Sequence, residues 1–88
     1  MLVLPATLTH AQARACAQQL LQAIASGPAG PVRIDAGALL RFDSSALAVL
    51  LQCRRAALAR ASRLQLLNLP PALASLAQLY GVQALLLD

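Results

Sequence analysis

Proline and glycine cut this chain into alternating short and long apolar segments, and that alternation restricts the fold more than any single motif does. Pro5 closes the run Leu2-Val3-Leu4, Gly27-Pro28-Ala29-Gly30-Pro31 forms a second break, Pro70-Pro71 a third and Gly81 a fourth. The short pieces have the length of strands. Val32-Arg33-Ile34-Asp35 alternates apolar and polar residues as a half-buried strand does, and Arg63 to Leu69 reads as another. The long pieces have the helical period. Thr9-His10-Ala11-Gln12 matches a capping box, and Ala13, Cys16, Leu20, Leu21 and Ile24 then fall on one face of a helix that ends near Ala25. Asp43-Ser44-Ser45 opens a second helix, because a side-chain oxygen at the cap satisfies amides that have no partner in the first turn. It is expected to reach about Ala61, with Arg54, Arg55 and Arg60 near its negative end. Pro70-Pro71 opens a short third helix over Ala72 to Tyr80, and the apolar run Val82 to Leu87 is expected to be a last strand.

The resulting order is β-α-β-α-β-α-β, which predicts an α/β fold: a mainly parallel four-stranded sheet with about three helices in a single domain, residues 1–88. With 59% apolar residues, one Phe and one Tyr, its core must be aliphatic. No uncharged apolar stretch is long enough for a membrane span, since Leu64 to Leu87 is interrupted by Asn68, Pro70-Pro71, Gln78 and Gly81. The opening MLVLPATLTHAQ lacks the pattern of a signal peptide, so the cytoplasm is the expected location. Cys16 and Cys53 stand far apart inside helical patterns and read as buried reduced thiols.

Composition also narrows the function. The net charge of +4 comes from arginines spread along the chain, with no aromatic platform for bases, which argues against nucleic acid as a partner. Catalysis is not expected: three Asp (Asp35, Asp43, Asp88), one His and no Glu or Lys give no acid–base pair, no P-loop and no metal-ligand set. No cofactor is implied. On a helical wheel the second helix places Leu47, Leu50, Leu51, Cys53, Ala57, Leu58 and Ala61 toward the core, with Ala46 and Val49 at the margin. The opposite sector holds Ser44, Ser45, Ala48, Gln52, Arg55 and Ala59. Taken alone, that sector reads as solvated surface with alanines suited to a helix. Asp43 reads as a cap or as a hydrogen-bonding group for a partner, His10 as exposed at a helix end, and Tyr80 as a core residue with its hydroxyl at the surface.

Val32-Arg33-Ile34-Asp35, the loop with Leu39-Leu40, and Phe42-Asp43-Ser44-Ser45-Ala46-Leu47 resemble the signature of STAS domains, the sulfate transporter and anti-sigma factor antagonist family. The resemblance extends over about 85 residues in length and element order. LPATLTHAQA and RFDSSALAVLLQCRR look most like the STAS subunit of the bacterial Mla system, an ABC transporter that moves phospholipids between the membranes of Gram-negative cells. That subunit sits on the cytoplasmic ATPase. The likeness therefore implies a non-catalytic accessory subunit that touches the membrane only through the transporter complex and binds the ATPase through Asp43, Ser44, Ser45, Ala48, Gln52, Arg55 and Ala59. Ser44 matches the Thr that follows Asp in the transporter branch, and Ser45 matches the phosphorylated serine of anti-sigma factor antagonists. The alternative reading is accordingly an antagonist regulated by phosphorylation at Ser45, or at Ser44. Ala46 stands where the family usually carries Gly.

Overall fold

The computed structural model describes residues 1–86 and contains five strands and four helices among them. Strand β1 (Leu2–Val3) pairs in parallel with β3 (Val32–Asp35), which pairs in parallel with β5 (Leu64–Leu67), giving the order β1-β3-β5. Helix α1 (His10–Ser26) crosses from β1 to β3, and α2 (Ser44–Ala59) crosses from β3 to β5. The two helices therefore run side by side with their N-termini at the same end. Helices α3 (Pro71–Leu79) and α4 (Gln83–Leu86) pack with α2, α4 also touching β5. None of these helices is long and apolar enough to cross a membrane.

The register separates two faces of the sheet. Leu2, Ile34 and Leu66 form one cross-strand row and Val32 and Leu64 the next, facing the helices. The reverse face carries Val3, Asp35 and Leu67, then Arg33 and Gln65, whose Nε and Oε1 lie 3.1 Å apart in a hydrogen bond. Val3 is 61% exposed. One covered face explains why β3 alternates instead of reading as the continuous apolar run of a doubly covered parallel strand. Between sheet and helices, Leu4, Leu8, Ile34, Val49, Leu50, Cys53 and Leu73 are almost completely buried. Burying each of the larger aliphatic side chains contributes about 1.5–3 kcal/mol. Both cysteines are free and buried, and burial, with Cys16 nearby, pushes the Cys53 thiol up to about 12.

Four sequence expectations need correction. The run from Val82 is not a strand: Gln83–Leu86 is helical, and Leu87 lies outside the described residues. A short Leu-, Ala- and Gln-rich run has no decisive period, and these residues are better helix formers than strand formers. Gly81, at φ +73°, completes the end of α3: Gly81 N donates to Gln78 O and Val82 N to Ala77 O, each at 3.0 Å. The chain then turns so that Leu86 enters the core. Second, a two-stranded parallel sheet was not foreseen, formed by β2 (Thr7–Leu8) and β4 (Arg41–Phe42). Third, the buried side of α2 is shifted: Ala46 and Val49 are buried, whereas Leu58 is 49% exposed and Ala61 has left the helix at φ +54°. The sheet and α1 together cover the margin of the wheel, and the last turn of α2 runs past them. Fourth, Tyr80 is 57% exposed, because α3 ends there and its ring is carried away from the core. The sheet thus has three strands in its main body, and the α/β class stands.

Candidate docking site

Two short strands set up the site. The register of β2 with β4 pairs Leu8 with Phe42, so the next residues, Thr9 and Asp43, cap two helices that start beside one another. Gln12 reaches back to Thr9, its Oε1 accepting from Thr9 N at 3.0 Å and from Thr9 Oγ1 at 2.7 Å. Asp43 serves both helices. Its Oδ1 accepts from Ser45 N at 2.8 Å, and its Oδ2 accepts from His10 N at 3.1 Å. A carboxylate placed between two positive helix ends is favoured in its charged form. The Ser45 amide, then the His10 amide, hold its carboxyl below the usual carboxylate range.

At the opposite end of the helix pair the charge is reversed. Arg60, the residue after α2, lays its guanidinium across the end of α1, Nη1 donating to Ile24 O and Nη2 to Gly27 O at 3.0 Å. The expectation that Arg60 would serve the C-terminus of its own helix is corrected: it completes the carbonyls of its neighbour. Negative charge at the shared N-terminal end and positive charge at the C-terminal end pin α1 and α2 together at both poles. The spacing of the two helices is thereby fixed by side chains from a single connection, α2 and its caps.

Along the seam between these pins, the predicted residues come together on one surface. Ser44, Ala48, Gln52, Arg55 and Ala59 are exposed on α2, and Ser45 is half-buried beside Asp43. They follow the i, i+4, i+7 spacing of one helical stripe. Asp43 is drawn inward as a cap, so its oxygens are already occupied by amides. What wheel reasoning on a single helix could not supply is the other wall. His10, Ala13, Arg14 and Gln18 of α1 line the upper half of a groove with Ser45, Ala48 and Gln52. Leu21 of α1 continues it past Leu51, Arg55, Ala56 and Ala59. The signal was present as Ala13, Ala17 and Leu21 at helical spacing, but nothing local paired them with Ala48 and Ala56.

The floor of this surface is mainly alanine and leucine, and its polar groups are amide, hydroxyl, guanidinium and the His10 imidazole. Among the described residues no group of three His, Cys, Asp or Glu side chains is placed to hold a metal ion. Ala46, at the position where Gly was the usual residue, is fully buried under this face, so its methyl is part of the core and does not obstruct the groove.

A protein-family model described as "Mlab, STAS domain" matches residues 1–88. No curated protein and no solved structure gives a significant match.

Proposed function

We propose, from the premise that this chain belongs to the Mlab-type STAS domain family, that it is a non-catalytic accessory subunit docking on the cytoplasmic ATPase of a phospholipid ABC transporter. The α2 face carrying Ser44, Ala48, Gln52, Arg55 and Ala59 is its contact surface. The observation that carries this reading is the combination of a rigidly capped helix with an open, small-residue stripe. Small side chains let a partner's backbone approach closely, while the caps at both poles mean little order must be created on binding. STAS domains in general lack catalysis, and the Asp43 carboxylate beside the Ser45 hydroxyl is engaged as a helix cap, accepting from the Ser45 and His10 amides.

The alternative, a phosphorylation-switched anti-sigma factor antagonist acting through Ser45, is less well supported by the geometry. Ser45 is half-buried, and its amide and hydroxyl lie against the Asp43 carboxylate. A phosphate there would face a like charge already at the cap. Ser44 is exposed and has no such obstacle.

Co-expression with the Mla-type ATPase of the same genome tests the docking reading. Stable co-purification is expected, lost in Ser44→Arg and in Ala48→Arg and retained in Ser45→Asp. Wild-type chain that never associates with the ATPase, or arginine variants that associate as well as wild type, would refute it.

A further inference from the structure

The seam between α1 and α2 is electrostatically one-sided. Arg14 stands on its upper rim and Arg55 on its lower rim, both exposed, and no acidic residue lines it. The other arginines of the chain do not line this seam. Arg33 is bonded to Gln65 and Arg60 to the end of α1, whereas Arg14 and Arg55 make no hydrogen bond within the described residues. Among the described residues no carboxylate is free to reach them. Asp35 is held by Gly37 N and Asn68 Nδ2 on the far side of the sheet, and Asp43 closes the top of the seam with both oxygens on amides.

Two unpaired guanidiniums at the ends of an alanine-floored channel specify an occupant. We infer that the seam receives an α-helix of the docking partner that lies along it, with small apolar residues against Ala48 and carboxylates facing Arg14 and Arg55. This rests on the docking reading above and adds the chemistry of what docks. Arg14 lines the stretch that contains Ala48, and Ala48 and Arg55 are seven residues apart on α2, about 10 Å along its axis. The partner's acidic residues are therefore spaced at i and i+7, two turns apart on one face, with the close-packed small residues beside the first of them, level with Ala48. Alanine on both walls permits the interaxial distance of about 8 Å at which helices pack tightly. Each guanidinium can take a carboxylate through two parallel hydrogen bonds, which fixes the register of the incoming helix.

The test measures the affinity of the purified chain for the purified Mla-type ATPase across a salt series. The variants are Arg14→Glu/Arg55→Glu, Arg14→Lys/Arg55→Lys, Arg14→Gln/Arg55→Gln and the packing control Ala48→Arg, each first shown by circular dichroism to keep the wild-type melting behaviour. Charge reversal is expected to weaken binding roughly 30-fold or more, the lysine pair to weaken it less because it keeps the charge but not the fork, and wild-type affinity to fall with salt more steeply than that of Arg14→Gln/Arg55→Gln. Hydrogen exchange on the ATPase should protect a helical segment with two carboxylates seven residues apart. Loss of binding in Ala48→Arg together with unchanged binding in the charge-reversed pair would overturn this inference and leave the docking reading standing. Protection of a segment without acidic residues would overturn it as well. Absence of any wild-type binding would remove both.

Discussion

Arg60→Met isolates the pin at the C-terminal pole of the helix pair. Methionine keeps much of the aliphatic stem and removes the guanidinium, so the carbonyls of Ile24 and Gly27 lose their donor. A hydrogen bond from a charged donor is worth about 1.5–3 kcal/mol, and less than that applies here because Arg60 is exposed and screened by solvent. The contact to Pro28 O, at 3.5 Å, is too long to count. Allowing about 1 kcal/mol for each of the two carbonyls, with the favourable charge at the end of α1 included, the variant should lose about 2 kcal/mol. For a domain of this size that corresponds to a melting temperature lower by roughly 10 °C. Arg60→Lys keeps the charge but not the fork, and should recover about half of the loss. Thermal unfolding followed by circular dichroism, with unfolding in urea as a second measure, reads both changes. A methionine variant melting within about 2 °C of wild type would show that α1 is held by core packing alone. A lysine variant as unstable as the methionine one would show that charge is irrelevant and only the two-carbonyl geometry matters.

Two further outcomes follow from the caps. Asp43 has a depressed folded pKa, so its contribution is present above the unfolded carboxylate range and is lost as pH falls through the lower folded value. The urea midpoint should therefore drop below about pH 4, and Asp43→Asn should start lower at neutral pH and drop less, the remainder coming from Asp35, which is depressed in the same direction; midpoints running parallel across the pH range would contradict this. Ala61 occupies the left-handed position that ends α2, with Ser62 N donating to Ala57 O and Ala61 N to Leu58 O, so Ala61→Gly should stabilise by about 0.5–1 kcal/mol once the extra freedom of glycine in the unfolded chain is deducted. No gain in melting temperature would mean that the strain is already relieved by its surroundings.

The sequence determined by itself whatever depends on near neighbours along the chain. Alternating periods separated by Pro and Gly marked the α/β class, three of the strands and three of the helices; the capping box at Thr9 marked the start of α1, and the Asp43-Ser44-Ser45 triplet that of α2 without choosing between Asp and Ser as the cap. The exposed stripe from Ser44 to Ala59 was legible for the same reason, since one helix is its own ruler. Where the local signal was weak it failed: Val82 onward carries no period that separates helix from strand, and Leu58 and Tyr80 are apolar at positions where the core has already ended.

Only the tertiary structure decided which of these pieces face each other. The register of two two-residue strands brings Asp43 to the amide of His10, and the parallel run of α1 and α2 brings Arg60 to Ile24 and Gly27, partners separated by more than thirty residues. The second wall of the groove, from His10 to Leu21, arises in the same way. Such contacts depend on the free energy of the whole packed arrangement, because closing a long loop is unfavourable until many distant groups meet at once, and no spacing along a single segment records that.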